Sequence, residues 1–277
     1  MPPSCGHQNS LRALILALGL AASSAGAETV LSGRPEQGGL VLGRTDPPAT
    51  VTLDGRLVPV EPQGRFLLGF GRDAAPSAVL EIRHGDAVET RALTVARRDW
   101  VVQRIEGLPR EKVEPDPAAV ARIKAETEML RSLRAKVTPQ PWFLTGLIRP
   151  AEGIVSGVFG SQRVYNGIPG APHSGLDIAA PQGSPVLAAA DGVVVLAAPD
   201  LFLTGQTILI DHGLGLMSSY AHLSRRDVEP GQRVVAGERI GAVGATGLAT
   251  GAHLHWGMSW LDVRLDPDSA LALLRKE

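Results

Sequence analysis

The order of apolar and polar positions divides the chain into stretches of different period. From Val30 to about Ile105 the apolar residues come in short alternating runs between turn residues. Val51-Thr52-Leu53 meets Asp54-Gly55 and resumes as Leu57-Val58-Pro59-Val60. Gln63-Gly64 precedes Arg65-Phe66-Leu67-Leu68, and Val79-Leu80-Glu81-Ile82 and Ala92-Leu93-Thr94-Val95 follow. A period of two broken by Asp-Gly is the signature of hairpins, and the regular spacing predicts a small β-sandwich-like domain over 28–106. The period then lengthens. Asp116 is a good N-cap and Pro117 suits the first helical position. Val120, Ile123, Met129, Leu130 and Leu133 form a partial apolar stripe among arginines, lysine and glutamates, until Pro139 and Pro141 stop it. This predicts a helix at about 117–136, a spacer within a linker over 107–147. From Ile148 the period returns to two. Val186-Leu187-Ala188-Ala189 reaches Asp191-Gly192 and Val193-Val194-Val195-Leu196; Thr207 to Ile210, Leu216 to His222, Arg239 to Val243 and Ala252 to Trp260 follow. An antiparallel β-domain with one wet groove is expected over 148–268, and a tail over 269–277. The fold class is all-β with a connecting helix.

Ahead of the first strand the pattern is of another kind. Arg12 precedes the apolar run Ala13 to Ala22, and Ala25-Gly26-Ala27 closes it before Glu28. A charged start, a short apolar core and a small-residue site predict an export signal over 1–27. The run is well short of the roughly 20 residues that span a bilayer. The alternative is an uncleaved signal that holds the protein at the inner membrane. Cleavage after Ala27 would remove Cys5, the single cysteine, so stability must come from packing or from a metal.

Composition sharpens the picture in two respects. A formal net charge of −1 on 277 residues gives no reason to expect a nucleic-acid partner. The 32 glycines and 21 prolines suit many turns and hence β-structure. The candidate chemistry lies in the histidines. Of seven, five fall between 173 and 255: His173, His212, His222, His253 and His255. Asp177 adds a carboxylate four residues after His173. Two imidazoles and a carboxylate satisfy a catalytic zinc site, which uses three protein ligands and leaves a position for water. His253 and His255 point to the same face of a strand, about 6.5–7 Å apart along the chain. Both can address one groove while Leu254 and Trp256 point into the core. His212, between Asp211 and Gly213, reads as a turn residue without a direct role. Thr246, Gly247, Thr250 and Gly251 read as turn chemistry that aims the last strand.

The motifs His173-x-x-x-Asp177, Tyr220-Ala221-His222-Leu223 and Gly251-Ala252-His253-Leu254-His255 occur in this order. Between them lie AAPQGSPVLAAADGVVV, GQTILIDHGLGL and VVAGERIGAVGATGLATG. Together they closely resemble the lysostaphin/LytM-type zinc metalloendopeptidases, which cut peptide stems or cross-bridges of bacterial peptidoglycan. The resemblance covers roughly Ile148 to Pro267. It implies a LytM-type antiparallel β-domain with an open zinc groove, one zinc ion held by His173, Asp177 and His255, and two catalytic histidines, His222 and His253. It also implies peptidoglycan as the substrate, with the D-alanyl–diaminopimelate cross-link as the expected bond, a periplasmic location and room for cell-envelope protein partners.

Other readings remain at this point. A non-catalytic LytM-like regulator that activates a cell-wall amidase would share the fold; such relatives typically lack some ligands, and none is lacking here. A wall-binding module without catalysis would hold no zinc. The string ADGVVV with the later V-x-x-G-x-x-I-G also resembles a biotinyl or lipoyl carrier. Attachment there needs a lysine, and none occurs between Lys136 and Lys276.

Overall fold

The computed structural model describes residues 29–105, 116–165 and 167–276. The expected export signal lies outside them. Among the described residues no helix is long and apolar enough to cross a membrane.

The first portion carries β1 (Val30–Ser32), β2 (Leu40–Arg44), β3 (Thr50–Leu53), β4 (Arg56–Val58), β5 (Arg65–Gly69), β6 (Ser77–His84), β7 (Ala87–Thr94) and β8 (Val102–Ile105). β1, β2 and β5 form one sheet, and β4, β3, β6 and β7 a second. The Asp54-Gly55 turn has both residues at positive φ, 49° and 76°, as a two-residue hairpin of the favoured twist requires. Alternation is strict in β6, where Ala78, Leu80 and Ile82 are buried between exposed neighbours.

A helix, α1 (Pro117–Arg134), follows, capped by the Asp116 carboxylate accepting from Ala119 N at 2.8 Å. It is docked rather than free. Arg122 donates to the Asp200 carboxylate at 3.0 Å, Phe202 N donates to Glu126 at 2.8 Å, and Arg131 reaches Asp262 at 3.6 Å. The helix therefore lies along the second portion as a covering element.

That portion contains β9 (Ile154–Gly157), β10 (Gln162–Tyr165), β11 (Ile168–Pro169), β12 (Leu176–Ala179), β13 (Pro185–Leu187), β14 (Gly192–Leu201), β15 (Gly205–Asp211), β16 (Leu216–Leu223), β17 (Arg225–Arg226), β18 (Arg233–Val234), β19 (Arg239–Ala242), β20 (His253–Trp260) and β21 (Val263–Leu265). An eight-stranded antiparallel sheet runs β18-β14-β15-β16-β20-β12-β9, with β21 beside β20; β13, β19 and β17 form a small second sheet. One face of the large sheet is core: Ile208, Ile210, Tyr220, Leu254, Trp256 and Ile178 are fully buried. The other face carries the polar residues and, in part, α1.

A second helix, α2 (Pro267–Leu274), occupies most of the stretch expected as a tail over 269–277. Its start repeats the Asp-Pro signal of α1, with Asp266 accepting from Asp268 N at 3.0 Å. Its Ala270 and Leu274 are buried, so packing keeps so short a helix formed. The two portions share one continuous core. Gly69 of β5 lies against Trp260, where a Cβ would sit 2.9 Å from the indole. Arg98 bridges to Asp266 at 2.8 Å, and β8 pairs with β10 in parallel.

His212 sits at the β15–β16 turn, as expected, and is fully buried there. Its Nδ1 lies 2.8 Å from Asp191 O and its Nε2 2.7 Å from Ser218 Oγ, which is 2.9 Å from Tyr220 Oη. Ala189 N donates to that phenol at 2.8 Å. A carbonyl only accepts, so Nδ1 bears the proton and Nε2 accepts from Ser218, whose oxygen accepts from Tyr220. Every group is satisfied with the imidazole neutral. Burial pushes the His212 pKa down and the Tyr220 phenol up to about 12. The depressed histidine contributes stability that is present above its unfolded value of about 6.5 and is lost as pH falls below it. His212→Gln should cost about 1–3 kcal/mol at pH 7.5 by breaking the buried chain. Its deficit should narrow towards pH 5, because the wild type alone then loses the neutral-histidine contribution. Denaturant unfolding at both pH values checks this; a deficit that widens on acidification contradicts it.

Candidate metal centre

Strand register does most of the assembly. β20 lies between β12 and β16, and Asp177, His255 and Ala221 stand directly opposite one another across the three strands. Cross-strand neighbours on one face have Cβ atoms about 4.5–5.5 Å apart, so Asp177 and His255 meet without any loop rearrangement. His255 Nδ1 lies 2.8 Å from Asp177 Oδ1. His173, in the segment leading to β12, adds Nε2 at 3.0 Å from both of those atoms.

His173 is fixed by its backbone and its other ring nitrogen. Its N donates to Ser161 O at 2.7 Å, its O accepts from Gly160 N at 2.9 Å, and Nδ1 donates to Val158 O at 3.0 Å. The 158–161 segment is braced in turn by the first portion of the chain. Arg72 Nε donates to Gly160 O at 2.8 Å. Trp100 packs on Gly160, where a Cβ would come within 2.1 Å of the indole.

His222 arrives by another route. In regular alternation it would share the face of Tyr220, which is core. The β15–β16 ladder shifts register between Gln206 and Ile208, and His222 has φ of +61°. Such a bulge re-aims a side chain, and here it turns the imidazole to the polar face. Nδ1 then donates to Thr246 O at 2.8 Å, and the ring stands 4.7 Å from His253 and 6.1 Å from His255. Thr246 is held by its own hydroxyl, which donates to Leu223 O at 2.8 Å and accepts from Gln206 N at 3.0 Å. His253 donates from Nδ1 to Gly251 O at 2.9 Å, and its Nε2 lies 3.8 Å from Asp177 Oδ1. The 246–251 turn thus supplies carbonyls that orient both rings, beyond aiming the last strand.

The five residues line a groove of about 380 Å³ whose rim includes Leu203, Thr204, Leu248 and Thr250. His212 is absent from it.

The electrostatics ask for a cation. Burial alone would raise the Asp177 pKa, but the adjoining imidazoles of His173 and His255 outweigh it and hold the carboxyl well below the usual range. Burial pushes His255 down, and pushes His222 down to about 4 with His253 adding to the effect. The mutual distances of His173 Nε2, Asp177 Oδ1 and His255 Nδ1 are 2.8–3.0 Å. Donors on a tetrahedron with bonds of about 2.1 Å stand roughly 3.4 Å apart. The trio lies within about half an ångström of that spacing, and its two nitrogens and one oxygen suit a divalent ion. A carbonyl on Nδ1 of His173 leaves Nε2 as the donor, the usual outer-shell device.

Comparison with known proteins places this geometry in context. Residues 171–267, which contain all five positions, match the profile of peptidase family M23. Peptidoglycan DD-endopeptidase ShyA of Vibrio cholerae is 46% identical over 86 residues, 31% of this chain and 20% of the relative. Cell division protein DipM of Caulobacter vibrioides is 40% identical over 110 residues, 38% of this chain and 18% of the relative. The matches thus span about a fifth of the length of these curated relatives. A Pseudomonas aeruginosa chain of known crystal structure, assigned to peptidase M23, is 30% identical with a TM-score of 0.70, covering 87% of this chain and 97% of that one.

Gly157 of β9 offers a test of the ligand trio. A Cβ there would stand 2.6 Å from Asp177 Oδ2, and its φ is not among the positive values. Gly157→Ala should fold, with a metal-free melting temperature close to the wild type, yet displace the carboxylate. Divalent-ion affinity, read by competition with a chromogenic chelator, should fall about 10- to 100-fold, as for other disturbed ligand supports. Unchanged affinity would contradict a metal role for Asp177.

Proposed function

The chain belongs to peptidase family M23, and on that premise we propose that it is a zinc-dependent endopeptidase that hydrolyses peptide bonds of bacterial peptidoglycan. His173, Asp177 and His255 hold the ion in this reading, and His222 and His253 serve the reaction. The observation that carries it is the convergence of three donor atoms at 2.8–3.0 Å beside two histidines whose Nδ1 protons are tied to backbone carbonyls.

The ion, when bound, supplies Lewis acidity to the scissile carbonyl and to the attacking water. The remaining work falls to the chain. With Nδ1 donating to Thr246 O, neutral His222 presents the Nε2 lone pair to the groove. Its pKa near 4 keeps it neutral at ordinary pH, so it accepts a hydrogen bond from the water and orients it. His253, tied through Nδ1 to Gly251 O, presents Nε2 beside it, the two rings 4.7 Å apart. The pair takes the proton released as the water adds to the carbonyl carbon, stabilises the tetrahedral oxyanion and passes the proton to the departing nitrogen. Among the described residues no glutamate lines the groove, so this pair fills the place of a carboxylate base.

The bond proposed is the D-alanyl–diaminopimelate cross-link. The names of the relatives support it: ShyA is a DD-endopeptidase, and Mpg of Neisseria meningitidis, 46% identical over 84 residues, is a DD-carboxypeptidase/endopeptidase. Export by the 1–27 signal would deliver the protein to the envelope where this substrate lies.

The division of roles predicts different phenotypes for neighbouring histidines. His253→Ala should retain most bound zinc and lose hydrolysis by about 100-fold or more; His255→Ala should lose both. Metal analysis and mass spectrometry of muropeptides from digested sacculi, with and without a chelator, distinguish them. Equal zinc loss in the two variants would sink the division. Unchanged muropeptides under every condition would favour a non-catalytic regulator of an amidase.

A further inference from the structure

Beside the groove lie two arginines, Arg134 buried and Arg264 half-buried, without a counterion among the described residues. Arg134, in the last turn of α1, is 6% exposed, and its Nε has no hydrogen-bond partner. Arg264 of β21, whose register partner is Ser259, lies on the polar face of the large sheet. Its Nη1 stands 3.6 Å from where a Cβ of Gly257 would be, an ordinary contact distance that sets the guanidinium beside β20. Neither guanidinium hydrogen-bonds or ion-pairs with a described residue. Asp262, the acid whose charge reaches Arg134, is already engaged by Arg56 at 2.9 Å and Arg131 at 3.6 Å. Burial, and then the charge of Arg134, push the Arg264 pKa down to about 9. Two neighbouring cations, one buried and one half-buried, are costly unless an anion joins them.

Room for one exists. The arginines line a cavity of about 40 Å³ with Ser174, Thr204, Ser219 and His255, space for roughly two or three waters or one carboxylate. Ser174, Thr204 and His255 also line the catalytic groove. The cavity is therefore a side chamber of that groove, roofed by α1 and floored by the sheet.

We infer that this chamber is a carboxylate subsite: Arg134 and Arg264, with the surrounding hydroxyls, receive a free carboxylate carried within a bond or two of the scissile amide. The inference rests on the peptidase reading and narrows its substrate. In a D-alanyl–diaminopimelate cross-link the carbon attached to the scissile nitrogen bears a free carboxylate. A terminal D-alanyl–D-alanine has the same arrangement. A glycine bridge carries no carboxylate there, except at a free terminus. Guanidinium groups recognise this planar anion through paired N–H donors. α1 thus becomes part of the substrate site, since it contributes one of the two cations.

The test compares an acid with its amide. N-acetyl-D-alanine and N-acetyl-D-alaninamide are titrated calorimetrically into the chelator-treated full chain. The wild type should bind the acid about 10- to 100-fold more tightly, the scale of charge-assisted hydrogen bonds. Arg264→Gln and Arg134→Gln should each reduce that preference. The zinc-loaded chain is then given cross-linked muropeptides whose diaminopimelate carboxylate is free or amidated; kcat/KM should fall by a similar factor on amidation in the wild type and much less in Arg264→Gln. Equal treatment of acid and amide by the wild type overturns the subsite, a result that needs no variant to fold. Acid preference that survives both substitutions also overturns it. Acid-selective binding that both substitutions remove, with neither muropeptide cleaved, would uphold the subsite and overturn the peptidase reading instead.

Discussion

The register of β20 between β12 and β16 is the constraint on which the rest depends. With Asp177, His255 and Ala221 aligned across the strands, alternation sends His253 and His255 to the polar face and Leu254, Trp256 and Met258 to the core. A slip of one residue would exchange the faces, placing imidazoles in the core and an indole in the groove. The large buried side chains therefore do more than stabilise. Trp256 and Trp260, each 2% exposed or less, make the wrong register expensive and so fix the ligand geometry.

A second theme is how the chain sets protonation with uncharged groups. His173, His222 and His253 each have Nδ1 on a backbone carbonyl, and His212 does the same in the core. A carbonyl fixes the tautomer without adding a formal charge, so Nε2 remains a lone-pair donor. His255 differs, with Nδ1 turned to Asp177. The trio combines the two ring nitrogens from different sides, which lets a sheet residue and a loop residue reach one point.

Much of this was legible from residue order, and the exceptions have physical causes. The His253–Leu254–His255 alternation reads directly because a strand has a period of two, and the Asp-Gly turns and Asp116-Pro117 carry their conformations in their residue types. His222 is different: alternation assigns it to the core, and only the bulge, which has no distinct sequence mark, turns it out. His212 reads as a turn residue from its Asp and Gly neighbours and sits at a turn; its burial has no such mark, because its partners Ser218 and Tyr220 are joined to it by strand pairing. α2 repeats the Asp-Pro cap, yet its eight residues are too few for a clear period. The charged positions between the apolar residues of α1, Arg134 among them, suggest a solvated helix face. That expectation holds for a spacer and fails for a helix laid on a sheet, because tertiary docking decides which face is wet.

The bracing of Gly160 by Arg72 and Trp100 has a consequence for how the centre is acquired. His173 and His255 are 82 residues apart, while Arg72 and Gly160 are 88 apart. Closing two long loops has an entropic cost that local structure cannot offset. The donor trio therefore belongs to the whole closed chain, not to the β12–β20 pair alone. An unfolded chain carries no assembled centre, so ion-binding competence begins only when the first portion has folded onto the second.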